Sequence, residues 1–546
     1  DVLFDVPTNG TQSDTGAGGE VSGNYCTLNP LHSTGMNAGT GAAVLSNGNL
    51  DATSNTSAYK NNFGTIVFPA SGKYYFEVTV LSNNGTNNQT AGIAATTGTT
   101  KKYLLDCFAT SSTSKRSLVD SSATSLSGSF NVGDVIGVAV DCDAGTAVIK
   151  HNNTDIDSGY TLDSSLTYAP FFSGYNCGTS AFNFGQRAWA YSAPSNHKAL
   201  CTTNLPTPDV ADGSDYFNTA LWTGDGGSSV SVTTGTFEPD FIWIKQRNKT
   251  YYHQLYDAVR GYGSGKALAS NENVAEGYGS PATYGYVSGT TSTGFTGTAG
   301  TGTPLYVNEN NTTYVAWNWD AGSSTASNTD GSVTSSVRAN QTAGFSIIKY
   351  TAGSSAVSIG HGLNVTPAVF IQKNMDSTDI WRVYYTVADG SLDFLRLNTT
   401  ASKSDSSNSL PTSSVINIGG ISGDDHIVYA FTPVAAYSAM GVYSGNSSTN
   451  GVFVHTNFRP AWLMVKSINA TGSWSIFDSK RDTFNVMDRY LYAEQTFVEQ
   501  DSDTVDFLSN GFKFRTGGGD HNYSGRDYLY LAFAENPFQA NGGLAR

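Results

Sequence analysis

The chain has 546 residues, 13% of them charged and 12% aromatic, and its 29 Lys and Arg against 44 Asp and Glu leave a net charge of −15. An acidic chain without a Lys/Arg cluster argues against nucleic acid as a partner, because phosphate binding needs a positive field. No apolar run approaches the roughly 20 residues that cross a bilayer, so no membrane insertion is expected. Abundant Gly, Ser, Thr and Asn with few charges favour strands and tight turns over helices. The first residue is Asp1 and not Met, which reads as a processed or truncated portion of a longer chain.

Residues 1 to 50, with few apolar positions and the run Thr15-Gly16-Ala17-Gly18-Gly19, read as an extended arm on a first domain spanning 1–200. Within that domain, Ser71-Gly72-Lys73-Tyr74-Tyr75-Phe76-Glu77-Val78 predicts a turn feeding a strand, and Ala91 to Ala94 a second strand. Gly133 to Asp141 and Ala147 to Asn153 predict a hairpin, with late strands at Tyr168 to Phe172 and Phe182 to Gln186. Short alternating strands between glycine and asparagine turns are the pattern of a β-sandwich. In their order and spacing these segments resemble the SPRY domain, a concanavalin-like pair of antiparallel sheets. Where that family has an Asn-Gly turn this chain has Asn152-Asn153, amides that still tolerate positive φ. The resemblance implies a binding module whose partners meet loops at one end of the sandwich.

Five cysteines, Cys26, Cys107, Cys142, Cys177 and Cys201, show no metal-ligand spacing and read as buried thiols, with a disulfide as the alternative. The eight histidines form no zinc motif, and Asp424-Asp425-His426 and Asp520-His521 read as residues capping strands. The Asp- and Asn-rich turns offer oxygen ligands for calcium, but the EF-hand pattern is absent. No cofactor is expected. Residues 201–214, with Pro206 and Pro208, read as a linker.

Three segments then repeat one spacing. Trp222 precedes Pro239 and Lys245, Tyr350 precedes Pro367 and Lys373, and Tyr443 precedes Pro460 and Lys466, each at the same two intervals. Each copy closes on an apolar strand, read as Tyr314-Val315-Ala316-Trp317, Val428-Tyr429-Ala430-Phe431 and Tyr530-Leu531-Ala532-Phe533. Fixed intervals of this kind mark duplicated units, placed at 215–321, 343–435 and 436–546, with 322–342 as a linker. The expected fold class is thus all-β, an SPRY-like antiparallel sandwich followed by three related β-sandwich-like modules. Asp257 with Arg260 and Asp478 with Arg481 recur at equal distance from their prolines, whereas the second copy has Tyr385 and Ala388. They read as surface ion pairs or turn braces.

The repeats, at Gly331 to Ser335, Ala343 to Tyr350, Asp506 to Phe512 and Ala532 to Phe538, resemble carboxy-terminal modules of large virion proteins in tailed bacteriophages of marine bacteria. That resemblance implies a non-enzymatic appendage of the virion, a tail fibre or receptor-binding component. Its expected partners are a host surface glycan or receptor and other virion proteins, and its expected assembly is a homotrimer. A glycan-degrading spike and a structural capsid or tail decoration are the alternatives. The first copy is longer than the second, and its excess carries Tyr251, Tyr252, Tyr256, Tyr262, Tyr278, Tyr284 and Tyr286 among glycines, with His253 nearby. Tyrosines on short polar spacers give rigid amphipathic contact surface. Tyr262, Tyr278, Tyr284 and Tyr286 are accordingly the candidate ligand-binding residues, against the alternative of a hairpin whose rings pack on each other.

Overall fold

A computed structural model describes residues 23–33, 41–83, 88–96, 101–107, 115–353, 355–419 and 423–537. The first half is a sandwich of two antiparallel sheets. One centres on Gly178–Asn183, Lys73–Val80, Val135–Asp141 and Thr146–His151; the other runs Lys60–Phe63, Tyr168–Gly174, Gln89–Ala95, Lys102–Cys107, Lys115–Val119, Ser122–Leu126. Between them Phe76, Val78, Ile93, Leu105, Val138, Phe172 and Phe182 are fully buried. The expected hairpin pairs Asp141 with Thr146. Its following turn holds Asn152 and Asn153 at φ 48° and 65°, the left-handed geometry that asparagine tolerates. Of the expected arm, residues 1–22 and 34–40 lie outside the described residues, while Val44–Ser46 pairs with Asp51–Ser54 as a sandwich edge. Burial pushes the thiols of Cys26 and Cys142 up to about 12.

The second half is built from one motif used three times. An opening strand pairs with the closing strand, which pairs with a central strand, which pairs with a hairpin strand. In the first unit these are Phe217–Thr223, Thr313–Trp319, Phe241–Gln246 and Gln254–Asp257. In the second they are Phe345–Thr351, Asp425–Phe431, Val369–Asn374 and Arg382–Tyr385, and in the third Ser438–Ser444, Asp527–Pro537, Phe458–Ser467 and Ser475–Asp478. The register makes the repeat residue-specific. Lys245, Lys373 and Lys466 face Val315, Ile427 and Leu529 of their closing strands. Trp222, Tyr350 and Tyr443 stack on Tyr314, His426 and Tyr528 at 4.9, 5.3 and 5.1 Å.

Two readings of the sequence are corrected by this register. The closing strand of the first unit is offset by two residues, because the partners of Ile242, Phe370 and Leu463 are Asn318, Ala430 and Ala532. Asn318-Trp319, not Ala316-Trp317, is therefore the counterpart of Ala430-Phe431. The stretch read as linker, 322–342, contributes Ala326–Asn328 and Ser335–Asn340 to the sheet of the second unit. Pro460 lies inside its strand at a bulge, where its missing N–H interrupts the ladder, whereas Pro239 and Pro367 precede theirs.

The units close into a ring through equivalent residues. Fourteen positions after each proline stands a ring N–H, His253, Trp381 or Trp474. Trp381 Nε1 donates to the carbonyls of Ala269 and Glu272 in the first unit, at 2.9 and 3.0 Å. Trp474 Nε1 donates to Arg396 O in the second at 2.9 Å. His253 Nε2 donates to Tyr492 O and Gln495 O in the third at 3.0 and 3.2 Å. The joints thus run in one direction around a pseudo-threefold axis, and one continuous core containing Phe217, Trp319, Phe345, Phe431, Trp462 and Phe533 fills the centre.

The Asp/Arg pairs sit in these joints, fully buried, and not on the surface. Each does brace a turn: Asp257 accepts from the backbone of Val259 and Arg260, and Asp478 from that of Lys480 and Arg481. Each carboxylate also accepts from the neighbouring unit, Asp257 from the Tyr429 hydroxyl at 2.8 Å and Asp478 from Trp317 Nε1 at 2.9 Å. At the third joint the equivalent positions are Tyr385 and Leu531. An apolar Leu531 has no proton to donate, and the buried Tyr385 hydroxyl has no hydrogen-bond partner among the described residues.

Candidate recognition site

The long loop of the first unit folds back on its own sheet, and its tyrosines divide by what lies beneath them. Tyr256, on the hairpin strand, is wholly buried. Tyr262 and Tyr286 are half-buried against the same core, and the Tyr262 hydroxyl donates to Pro239 O at 3.2 Å. Burial raises the Tyr262 hydroxyl above its ordinary value. Tyr278 and Tyr284 remain open to solvent, 42% and 36% exposed. His253 is a joint residue and no part of this surface.

Around the two exposed rings stand others that complete a cluster. Tyr278 meets Tyr252 edge to face at 5.4 Å, and Tyr284 meets Tyr306 at 5.9 Å. Tyr251 meets Tyr306 from another side at 6.4 Å. Tyr306 is the buried hub, and its hydroxyl donates to Gly279 O at 2.8 Å. Gly279 has φ +85°, and a Cβ there would lie 2.8 Å from that same hydroxyl, so only glycine permits the approach. The one-turn helix Pro281–Tyr284 then carries the Tyr284 ring to the rim. Tyr306 was not among the residues expected from sequence, because it lies beyond the tyrosine-rich run. The signal available was the Pro304-Leu305-Tyr306 step just before the closing strand.

Rings held edge to face and anchored at one hydroxyl present flat faces and polar tips, those of Tyr252 and Tyr278 bonded to each other. Such a surface can stack on a sugar or a planar side chain at small entropic cost. The other polar candidates are structural. His426 stacks on Tyr350, and His521 accepts or donates at 2.8 Å to Ser475 Oγ, its pKa pulled down to about 4 by burial. Among the described residues no group of three His, Cys, Asp or Glu side chains could hold a metal ion.

A sandwich followed by a pseudo-threefold ring of β-units defines the chain's class. Residues 212–537, which cover the ring, match the family described as domain of unknown function DUF7483, and the chain belongs to that family. No curated protein matches the sequence. Among solved structures the chain is similar to the SPRY domain of human HERC1, at 15% identity over 29% of this chain and 96% of that one, with a TM-score of 0.23. It is also similar to stonustoxin (13% identity, 29% of this chain, 28% of that one, TM-score 0.22) and to the TRIM65 PSpry domain (13%, 29%, 92%, 0.20).

Proposed function

We propose that this protein is a non-enzymatic appendage of a bacteriophage virion, a tail fibre or receptor-binding component, that recognises a glycan on the host surface. The observation that carries this reading is the gathering of Tyr251, Tyr252, Tyr278 and Tyr284 around Tyr306 on one unit of the three. Rings on a rigid ring-shaped support are suited to stacking on sugars, and the loop that carries them makes the first unit longer than the second. The test is an array of bacterial surface polysaccharides probed with the whole chain and with a Tyr278→Ser/Tyr284→Ser variant. The reading expects at least tenfold weaker retention of the variant with its thermal midpoint unchanged. Equal retention would refute the site, and release of reducing sugar during the incubation would replace the binding reading by a glycan-degrading one.

A further inference from the structure

On the sandwich, the outer face of the six-stranded sheet holds a cavity of about 390 Å³, within the size range of small-ligand pockets. Register builds it from two rows of side chains. Ser173, Thr90, Asp106 and Arg116 lie opposite one another across four neighbouring strands, and one row further on lie Phe171, Gly92, Leu104 and Leu118. The polar row is organised from below. Asp106 is fully buried and accepts from Arg116 Nε at 2.6 Å and from Thr90 Oγ1 at 2.8 Å, so the guanidinium is fixed at the groove floor. At the rim the Tyr59 ring is held by a bond from Asn88 Nδ2 to its hydroxyl at 2.9 Å.

Two lining groups are left over. Ser173 is 2% exposed and its hydroxyl has no hydrogen-bond partner among the described residues, a condition rare enough in native folds to require an explanation. Lys102 is half-buried, and among the described residues its ammonium forms no ion pair. Its nearest acids, Asp106 and Asp120, are engaged by Arg116 and Lys101. Strand spacing and rise put Ser173 and Lys102 about 16 Å apart along the diagonal of the groove. A ligand meeting both must be extended, bear an anionic group at the Lys102 end and offer hydroxyls along a floor of Leu104 and Leu118. A peptide is disfavoured, because the strands under the groove are paired on both sides and offer no free backbone edge.

We propose that this groove binds a short acidic oligosaccharide, its carboxylate on Lys102, its hydroxyls on Arg116 and Ser173, and one ring face on Tyr59. This site stands on the sandwich alone and does not depend on the tyrosine cluster of the first unit. Titration calorimetry of the whole chain with tri-galacturonic acid, and with maltotriose as the uncharged control, tests it. The expected result is salt-sensitive binding of the acidic trisaccharide, at least tenfold weaker in Lys102→Met, retained in Lys102→Arg, several-fold weaker in Ser173→Ala, and unchanged in the Tyr278→Ser/Tyr284→Ser variant. Ser173→Ala removes a hydroxyl that bonds to no group among the described residues, so the fold is expected to be kept. The proposal is overturned by absence of binding at millimolar trisaccharide, by equal affinity for maltotriose, by undiminished binding in Lys102→Met, or by tighter binding of a tetra-aspartate peptide than of the sugar.

Discussion

His253 makes the joint between the first and third units dependent on pH in a way the other two joints are not. It stands where Trp381 and Trp474 stand, but its second nitrogen accepts from Trp243 Nε1 at 2.8 Å, so the neutral Nε2–H tautomer is the one that fits. Burial, reinforced by the Lys245 ammonium and opposed by the two carbonyls, holds its pKa down to about 3. An imidazole whose folded pKa lies below its unfolded value contributes fully at neutral pH and loses that contribution as pH falls below about 6.5. At about pH 5 the loss through His253 alone is about 2 kcal/mol, one and a half pH units at about 1.4 kcal/mol each. A His253→Trp/Trp243→Met variant rebuilds in the first unit the Trp474 and Met464 arrangement of the third, with no group left to titrate. Unfolding free energies from urea titrations of the chain, followed by tryptophan fluorescence at about pH 7.5 and pH 5, should therefore differ between the two pH values by about 2 kcal/mol less in the variant than in the parent. An identical pH slope in the two proteins would refute the assignment of a neutral His253 to this joint.

Asp478→Leu should destabilise the ring by about 3 kcal/mol, since it leaves the fully buried Arg481 to Glu499 and takes the acceptor from Trp317 Nε1, while Tyr385→Phe at the equivalent position of the second unit should be neutral or slightly stabilising; denaturant midpoints of the two variants check both. His32 Nδ1 and His455 Nε2 lie 3.1 Å apart between sandwich and third unit, both held well below their ordinary pKa by burial, so protonation below about pH 6 should loosen that contact first, visible as earlier proteolysis near the boundary than at neutral pH. Tyr262→Ala and Tyr286→Ala should each cost about 2 kcal/mol in thermal unfolding, in contrast to the exposed Tyr278 and Tyr284. The homotrimer that accompanies the appendage reading predicts a mass near three times the 57.7 kDa of one chain by light scattering, and a mass of one chain would exclude it.

The intervals from aromatic to proline to lysine could be read from the sequence because each ends on a side chain with a fixed structural duty: a ring stacked on the closing strand, an entry to the central strand, and an ammonium caged by carbonyls such as Gln246 O, Asn374 O and Ser467 O. The closing strand of the first unit slipped by two because side chains alternate with a period of two. Ala316-Trp317 and Asn318-Trp319 show the same faces, and only the pairing partners tell them apart. The ring closure had one legible signal, the ring nitrogen fourteen residues after each proline. A histidine in the first copy concealed it, and the carbonyls that receive these N–H groups have no sequence signature. Charged pairs are mostly exposed, so the burial of Asp257 with Arg260 became evident only with Tyr429 seated against it. In the loop, spacing alone could not separate Tyr278 and Tyr284 from Tyr262 and Tyr286, since that depends on which way the chain turns at Gly277, Gly279 and Gly285, all at positive φ.

Closing three units inside one chain also separates their fates. In a ring of three identical chains every substitution is made three times at once, and any contact surface comes in triplicate. Here the joint built on Asp257 and Tyr429 holds a hydrogen bond for which its counterpart at Tyr385 and Leu531 has no equivalent among the described residues, and the first unit carries the tyrosine loop. On the proposed reading each chain is accordingly monovalent for a ligand of those rings. Avidity for a repetitive surface has to come from the number of chains displayed together and not from the symmetry within one of them.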